Sequence, residues 1–221
     1  MTPVRNRYQT IEFDKTDIHL RTLRDNQQYF DKDNIAENLG ISSATWPLFG
    51  IVWPSSIVLA NYMMTYDFAD KRILEIGCGI GLASLLLNDK HADISATDMH
   101  PEAEQYLIEN TTLNKGKTIP YERASWDNCA TTLGKFDLII GSDVLYERQN
   151  IDYLATFIDN HTKESSSIII VDPGRGNHAA FSKLMVKLGY SHNQDNTGDT
   201  SYLDKPYNGQ ILQYQRYATA A

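Results

Sequence analysis

Residues 72–87, with the sequence RILEIGCGIGLASLLL, decide how the rest of this chain is interpreted. The first five residues are mostly apolar, which is typical of a short buried strand. Glycines then alternate at Gly77, Gly79 and Gly81, where the missing side chains permit a tight turn and close approach of a ligand to the backbone. The Ala- and Leu-rich run that follows predicts a helix whose first amide groups face the space above the turn. The stretch therefore predicts a nucleotide-type site.

The spacing of the glycines argues against a dinucleotide site. A G-x-G-x-x-G fingerprint would place its last glycine where this chain has Leu82. A second strand, residues 93–97, follows and ends at Asp98, roughly twenty residues past the turn. A carboxylate there can accept hydrogen bonds from both hydroxyls of a ribose. The alternative is that Asp98 only caps the helix that begins at Pro101, but the order of strand, turn, helix, strand and acid favours ribose binding.

Composition limits the functional classes. The chain has 221 residues, 42% hydrophobic and 22% charged, which suits one soluble domain with a large core. A net charge of −8 argues against an extended nucleic-acid surface and suits a partner that presents a basic group. Cys78 and Cys129 lack the spacing of a metal site or a disulfide framework, and the histidines show no ligand pattern. With no signal segment and no run close to a membrane span, we expect a cytoplasmic protein without metal or membrane contact.

Residues 1–45 are interpreted as an N-terminal extension, and residues 46–221 as the main domain. Residues 8–13 and 17–21 alternate enough to predict two short strands, which would form a hairpin. Two roles remain open for this extension. It is either a lid or recognition element, or a cover for the edge of the sheet.

Residues 45–56, TWPLFGIVWPSS, contain two Trp-Pro pairs just before an apolar helix. Proline after tryptophan favours an extended approach, and Pro54 is well placed to open the helix. One interpretation of both indoles is that they only fill the core. The favoured interpretation of Trp53 is that its ring forms a wall over the cofactor pocket. For Trp46 both interpretations, core residue and pocket wall, remain open.

The next segments predict a helix and an outer strand. Residues 101–114 have helical spacing of apolar residues, with Asn110 as the one polar break. Residues 118–124 predict a strand that Pro120 restricts to an edge. Ser125 and Trp126 follow it. They either contact an adenine ring, or Trp126 is a buried core residue and the following aspartate belongs to a turn.

The remaining strands complete a sheet. Residues 136–141 predict a central strand, from whose carboxyl end Asp143 and Tyr146 would face the crevice where ligands bind in open parallel sheets. For Asp143 the alternative is a capping role at the surface. Residues 167–171 predict a fully buried strand. Residues 190–192 and 210–217 predict a closing antiparallel pair, the second of them an edge strand because its side chains alternate.

These motifs together resemble a known family. The E-x-G-x-G-x-G pattern from Glu75 to Gly81 resembles the first motif of class I S-adenosylmethionine methyltransferases, in which the acidic residue faces the cationic cofactor. Residues 143–146, DVLY, resemble the D-x-x-Y signature of the seven-β-strand protein methyltransferases called methyltransferase family 16. Residues 53–56 and Asp98 match the same family. Residues 172–175, DPGR, resemble the branch that contains the electron-transfer-flavoprotein β-subunit lysine methyltransferase.

The resemblance, which covers about residues 46–188, implies a fold, a cofactor and a reaction. The fold is α/β, a Rossmann-like doubly wound sheet of seven strands, mostly parallel with an antiparallel last strand. The cofactor is S-adenosylmethionine, with S-adenosylhomocysteine as product, and no metal is implied. The expected cofactor-binding residues are Trp53, Glu75, Gly77, Gly79, Gly81, Asp98, Ser125 and Trp126.

The implied activity is N-methylation of a lysine side chain in a protein partner. Asp143 and Tyr146 are the expected catalytic residues, and both would contact the substrate. Asp143 would grip and orient the incoming cation rather than act as general base, because a carboxylate raises the pKa of a neighbouring amine. Tyr146 would line the acceptor channel, and Arg175 would position an acidic feature of the substrate or the loop itself.

Two other functional classes remain open. The first is a small-molecule N-methyltransferase of the nicotinamide-methyltransferase type, since D-x-x-Y does not report the size of the substrate. The second is a catalytically silent interaction module, which the retained acidic residues and glycines disfavour. The expected partner is thus a protein that presents a lysine, or a small amine, with no nucleic acid and no membrane. The sequence leaves the oligomeric state undetermined.

Overall fold

The structure is a computed structural model that describes residues 5–25, 31, 33–43, 46–128 and 130–218. Its strands are β1 (Asn6–Phe13), β2 (Thr16–Leu23), β3 (Arg72–Ile76), β4 (Asp93–Asp98), β5 (Tyr121–Arg123), β6 (Phe136–Ser142), β7 (Thr162–Asp172), β8 (Ser191–Asn196) and β9 (Gln210–Arg216). Its α-helices are α1 (Ile35–Asn38), α2 (Pro54–Thr65), α3 (Leu82–Asp89), α4 (Ala103–Leu113), α5 (Ile151–His161) and α6 (His178–Lys187). Short 3₁₀ helices cover Trp46–Gly50 and Arg148–Asn150.

Seven strands form one sheet in the order β5-β4-β3-β6-β7-β9-β8. Strand β3 is parallel to both β4 and β6, and β9 is antiparallel to β7 and β8. The chain therefore moves outward from β3 to β5 and then returns to the other side of β3, so that the order reverses between β3 and β6. The predicted sheet of seven strands, mostly parallel with an antiparallel last strand, is confirmed. In such sheets the crevice for a ligand opens at the carboxyl ends of the two strands at the reversal.

One strand position was misread from its pattern. Strand β9 was expected at an edge, but it lies between β7 and β8. Its alternating polar side chains are satisfied across the sheet, since Gln213 Nε2 donates to Asp195 Oδ2 on β8 at 2.7 Å. The edge is β8, whose six residues are all exposed. The opposite edge is β5, as predicted, although the strand begins directly after Pro120 rather than at residue 118.

The N-terminal hairpin is built into the core. Strands β1 and β2 pair antiparallel through eight residues each, which confirms the predicted hairpin. The inner face of the hairpin is buried in the same apolar cluster as α2 and α3, through Phe13, Ile18, Leu20 and Leu23. These contacts favour a structural role over a mobile lid, although the hairpin packs mainly on α3 and α4 and not, as expected for a cover, on the edge of the sheet. The boundary at residue 45 remains a prediction.

Two asparagines, one in α4 and one at its C-cap, attach the hairpin to the main domain. Asn110 Oδ1 accepts a hydrogen bond from Arg21 N at 2.7 Å, and Asn110 Nδ2 donates to Arg21 O at 3.2 Å. One helical turn later, Asn114 makes the same pair of bonds with His19, at 2.8 and 2.7 Å. The two side chains act as a substitute for a neighbouring strand along β2. The polar break at Asn110 in the α4 pattern therefore has a structural cause.

We expect Asn110→Ala to lower the free energy of unfolding by about 2 kcal/mol, because Asn110 is fully buried and its loss leaves the Arg21 backbone groups without partners. Asn114→Ala removes the same pair of bonds at a less buried site, so its effect should stay below about 1 kcal/mol. Urea unfolding gives both free energies, and hydrogen exchange at Arg21 reports the local loss. Equal effects from the two substitutions would show that burial of the asparagine is not what matters.

The segment Trp46–Thr65 is long and apolar enough, by length and composition, to cross a membrane, with a mean hydropathy of 1.3. The expectation that no stretch approaches a membrane span is therefore too strong for this segment. In the structure the segment is interrupted at Trp53, after which α2 runs for only 12 residues. At 1.5 Å per residue this helix is about 18 Å long, short of a hydrocarbon core of about 30 Å. Val58, Leu59 and Met63 of α2 are buried in the core of the domain.

Candidate active site

The turn between β3 and α3 requires its glycines. Gly77, Gly79 and Gly81 all have positive φ, of 57°, 55° and 75°, where side chains other than hydrogen are strained. A Cβ on Gly79 would lie 2.8 Å from the carbonyl oxygen of Phe49. Gly79 is therefore required by the close packing of the 3₁₀ helix Trp46–Gly50 against the turn, in addition to any approach of a ligand. The glycine pattern in the sequence predicts the approach of a ligand but not this packing.

Asp98 ties this turn to the end of β4. Its Oδ2 accepts a hydrogen bond from Gly79 N at 2.8 Å, and its Oδ1 accepts one from His100 N at 2.8 Å. Burial raises the pKa of the Asp98 carboxyl, partly offset by these backbone bonds. Since a carboxylate oxygen has two lone pairs, each oxygen retains capacity for a further donor. The position and the remaining acceptors fit a ribose diol, while the capping bond to His100 is also present.

Glu75 lies beneath the turn. It is 2% exposed, and its Oε2 accepts hydrogen bonds from the backbone N of Ser84, at 2.8 Å, and from the Ser84 hydroxyl. Ser84 lies in the first turn of α3, whose amide groups lack partners within the helix. Glu75 thus caps α3 from the preceding strand. Burial raises the pKa of Glu75 to about 7, although the Ser84 bonds oppose the shift.

The candidate aromatic walls come from two segments. Trp126 is half-buried and lies beside the turn. A Cβ on Gly77 would be 3.7 Å from its Cζ2. The neighbouring Ser125 hydroxyl donates to the Asp127 carboxylate. Trp53 Nε1 donates to Leu48 O at 2.9 Å, which joins the start of α2 to the 3₁₀ helix. The structure therefore brings Trp126 to the turn, whereas the bond of Trp53 is made within its own segment.

Trp46 makes a similar local bond. Its Nε1 donates to Ile41 O at 2.9 Å, so the indole of Trp46 is satisfied by the preceding loop. The half-buried ring anchors the start of the 3₁₀ helix. This contact supports the structural interpretation of the two that were open for Trp46.

Asp143 and Arg175 form a bidentate ion pair at the carboxyl end of β6. Arg175 Nε donates to Asp143 Oδ1 at 2.8 Å, and Arg175 Nη2 donates to Asp143 Oδ2 at 2.6 Å. The hydrogen bond to Asp143 raises the pKa of Arg175. Asp143 has φ of 54°, and its backbone N donates to Val171 O at 2.8 Å. Of the expected substrate residues, the structure thus brings these two into direct contact.

Two tyrosines flank this pair. Tyr146 is 36% exposed, and partial burial together with nearby carboxylates, including Asp143, raises its pKa to about 12. Tyr207 was not anticipated from the sequence. Its hydroxyl lies 2.8 Å from Ser55 Oγ at the start of α2, and burial raises its pKa to about 12. Because these pKa values lie far above neutrality, both phenols are hydrogen-bond donors at pH 7 rather than bases.

Tyr207 has no local sequence signal, because its partner Ser55 lies 152 residues earlier in the chain. The polar stretch before β9 carries Tyr207 into contact with Ser55. Asp172, at the carboxyl end of β7, was noticed only as part of the DPGR motif. Its side chain is fully buried and lies near Arg175, whose pKa it also raises.

The resulting crevice is acidic and lies at the carboxyl ends of the central strands. Four carboxyl groups stand at or near these ends, one each from β3, β4 and β7 and one directly after β6, and Arg175 is paired with the last of them. Within the part of the chain that the structure describes, no group of three or more His, Cys, Asp or Glu side chains is arranged to hold a metal ion. The arrangement favours a cationic ligand above the glycine turn and a second cation at Asp143.

Known proteins are similar to this chain in sequence or in fold. Protein-lysine methyltransferase METTL21E of Bos taurus is 33% identical over 144 residues, which cover 59% of this chain and 49% of that protein. The electron transfer flavoprotein beta subunit lysine methyltransferase of Mus musculus is 27% identical, over 70% of this chain and 64% of that protein. The chain thus spans about half the length of the first of these relatives and less than two thirds of the second.

The fold is similar to that of magnesium protoporphyrin IX methyltransferase from Synechocystis, solved with bound S-adenosylmethionine. The TM-score is 0.57 at 20% identity, over 74% of this chain and 78% of that one. The family model described as lysine methyltransferase matches residues 34–187. This match runs from α1 to the end of α6 and includes the glycine turn, Asp98 and the Asp143–Tyr146 segment. It extends over more than half of the sequence, and the chain therefore belongs to the lysine methyltransferase family.

Proposed function

We propose that this protein is an S-adenosylmethionine-dependent N-methyltransferase that methylates a lysine side chain of a protein partner. The observation that carries the proposal is the position of Asp143 to Tyr146. This segment follows β6, the strand next to β3 in the sheet, and so stands beside the glycine turn that follows β3. A site for a cationic acceptor thus adjoins a site for a nucleoside. Membership of the lysine methyltransferase family supports the same conclusion.

The residues around the turn fit the cofactor. The glycine turn presents backbone without side chains, and Asp98 retains acceptor capacity for a ribose. Trp126 lies beside Gly77, where a ring can pack on the adenine. Glu75 supplies a buried acidic group under the turn. When bound, S-adenosylmethionine supplies an electrophilic methyl group, so these side chains need only bind, orient and exclude water.

The acceptor must be a neutral amine when the methyl group is transferred. An isolated carboxylate at Asp143 would favour the ammonium form and raise the pKa of the amine. The guanidinium of Arg175 balances that charge. Asp143 would orient the incoming ammonium group, which has to lose its proton before the methyl group is transferred. Tyr146 offers a protonated phenol and an aromatic ring to the same space.

We expect the affinity for S-adenosylmethionine to rise by roughly tenfold between pH 6 and pH 8. The pKa of Glu75 is raised to about 7, so the carboxyl is mostly protonated at pH 6 and mostly ionised at pH 8. A cationic ligand above the turn favours the ionised form, and one pKa unit corresponds to about a factor of ten. Calorimetry across this range measures the dependence.

Glu75→Gln should flatten that dependence, because the neutral amide does not titrate. Asp98 is the other carboxyl at the turn whose pKa burial raises. If Glu75→Gln retained the full pH dependence, the titrating group would be Asp98 instead.

The experiment that tests the proposed function is incubation of the protein with tritium-labelled S-adenosylmethionine and a host lysate. We expect label in macromolecules, at lysine residues that mass spectrometry then identifies. Label found only in the small-molecule filtrate would instead support the methyltransferase of small amines. Binding of S-adenosylhomocysteine without any transfer to either fraction would support the silent interaction module.

The acidic charge of the chain adds a second observable to this assay. With a net charge of −8, the protein should attract a lysine-bearing surface over a distance that salt shortens to about 10 Å at 0.1 M. Transfer to macromolecules should therefore slow as the salt concentration rises, whereas binding of the cofactor should change less. Transfer that is insensitive to salt would argue against electrostatic recognition of the partner.

A further inference from the structure

In this structure Arg175 holds the carboxylate that the proposed function assigns to the acceptor. Each oxygen of Asp143 receives one N–H of the guanidinium, at 2.8 and 2.6 Å. The Asp143 side chain is only 11% exposed, whereas that of Arg175 is 44% exposed. Because the carboxylate is so little exposed and both its oxygens are paired, an incoming ammonium group would have to take the place of a guanidinium N–H. Arg175 and the acceptor therefore compete for Asp143.

A second carboxylate stands next to this pair with unused acceptor capacity. Asp172 is fully buried, and its Oδ2 accepts from Gly174 N at 3.1 Å and from Gln210 Nε2 at 3.4 Å. Its Oδ1 is buried and has no hydrogen-bond partner among the residues that the structure describes. A buried charged oxygen without a donor is costly, so a nearby donor that reached it would be stabilised.

Arg175 is within range of both carboxylates. Ser142 pairs with Val171 in the parallel register of β6 and β7, so Asp143 and Asp172 each follow a paired residue on neighbouring strands. Such strands lie about 4.8 Å apart. The charge of Asp172 also contributes to the raised pKa of Arg175. A change of side-chain rotamer, together with movement of the Arg175 backbone, would carry the guanidinium from one carboxylate to the other.

The backbone around Arg175 permits that movement. Arg175 stands between Gly174 and Gly176, with φ of 94° and 83°. A Cβ placed on either glycine would meet no heavy atom within 4 Å. The segment is therefore not packed against the rest of the domain at these two positions, and glycine gives it wide conformational freedom.

We propose that Arg175 is a gating residue of the acceptor site, which releases Asp143 to an incoming ammonium group and transfers its guanidinium to Asp172. This inference rests on the proposed function, because it takes Asp143 as the group that receives the acceptor. The exchange keeps both carboxylates neutralised, one by Arg175 and one by the acceptor. It selects ammonium groups that carry an N–H donor, since a ligand without both the charge and the donor cannot replace the guanidinium.

Another residue competes for Asp172. His178 Nδ1 is buried, has no hydrogen-bond partner among the described residues, and lies 3.9 Å from Asp172 Oδ2. If Asp172 pairs with His178 instead, Arg175 has no second carboxylate to which it can move. The experiment therefore includes His178→Ala as a matched control.

The test measures binding of n-butylammonium chloride, a stand-in for the lysine side chain, at constant ionic strength. The probe is titrated into protein labelled with ¹⁵N, and the arginine Nε–H signal of Arg175 is assigned from its loss in Arg175→Lys. In the wild type we expect this signal to shift as the probe binds. Tetramethylammonium, which has no N–H donor, should leave it unchanged. Unaltered affinity for S-adenosylhomocysteine confirms that each variant is folded.

The variants separate a gate from a binding residue. Arg175→Gln should bind n-butylammonium about fivefold more tightly, because opening a half-exposed ion pair costs about that factor. Asp172→Asn should bind it several-fold more weakly, and Asp172→Asn should have no further effect when Arg175→Gln is already present. His178→Ala should resemble the wild type.

Four outcomes would overturn the gate. They are weaker binding by Arg175→Gln, no binding of the probe by that variant, an equal effect of Asp172→Asn in both backgrounds, or a loss in His178→Ala that matches the loss in Asp172→Asn. Failure of the proposed function is a separate result. It would appear as no transfer of label from S-adenosylmethionine by the wild type, while the titration with n-butylammonium still decides the gate.

Discussion

Replacement of Gly79 by valine is expected to abolish detectable binding of S-adenosylmethionine and to lower the melting temperature by about 10 °C. Gly79 has a φ of 55°, where a residue with a side chain is strained by about 1–2 kcal/mol. A Cβ there would also lie 2.8 Å from the Phe49 carbonyl oxygen, a backbone atom that cannot move without its helix. Overpacking of this kind costs about 1–3 kcal/mol. For a chain of this size each kcal/mol corresponds to about 2–4 °C.

The loss of binding follows because the contact with Phe49 would displace the turn. Gly79 N donates to Asp98 Oδ2, so a displaced turn also displaces the carboxylate that would receive the ribose. We therefore expect affinity to fall by more than roughly a hundredfold, or about 2.8 kcal/mol. Asp98→Ala removes the carboxylate alone and should cost about 1–3 kcal/mol of binding, the usual range for a buried hydrogen-bonding group left without its partner.

Gly198→Val is the matched control for the strain. Gly198 has a similar φ of 68°, and a Cβ there would meet no heavy atom within 4 Å. Gly198→Val should therefore introduce only the backbone strain and no clash. We expect a smaller fall in melting temperature and unchanged cofactor affinity. Calorimetry and thermal unfolding supply both quantities. If Gly79→Val bound S-adenosylmethionine normally, the packing of the 3₁₀ helix on the turn would have no part in forming the site.

Asp143→Asn is expected to lower turnover by at least roughly tenfold, about 1.4 kcal/mol of transition-state stabilisation, with nearly unchanged affinity for S-adenosylmethionine. Asparagine has the same shape and tolerates the left-handed φ of 54° at this position, so the backbone is preserved. The change removes the charge that pairs with Arg175 and would receive the acceptor. Steady-state rates of label transfer, together with calorimetry of the cofactor, separate the two effects.

Two other substitutions sharpen that result. Asp137→Asn removes an ion pair with Lys163, 2.7 Å long, from the opposite end of the same strand, and it should leave turnover unchanged. Tyr146→Phe keeps the ring and removes the phenolic hydroxyl, so an unchanged rate would leave only an aromatic role for Tyr146. A parallel collapse of cofactor binding in Asp143→Asn would assign Asp143 to the cofactor or to the structure rather than to the acceptor.

Much of the fold was predictable because its signals are local. The apolar run before the alternating glycines, the acid after the next strand and the proline before β5 each act through neighbouring residues. The hairpin and the closing antiparallel pair followed from side-chain alternation in the same way. The position of β9 in the sheet did not follow from alternation. Alternation indicates that one face of a strand is polar, but not which neighbouring strand supplies the hydrogen-bond partners. Here the partner strand is β8, which follows a helix and a turn of its own.

The same distinction between local signals and tertiary contacts applies to the candidate site. The sequence alone determined which residue types stand at the glycine turn, at Asp98 and at the D-x-x-Y segment, because a motif is a property of neighbouring residues. Only the tertiary structure decided that Glu75 caps α3, that Tyr207 bonds Ser55 and that Arg175 is paired with Asp143. The last two contacts join segments that are far apart in the chain. Their geometry depends on how the sheet brings strand ends together, and no local pattern records that distance.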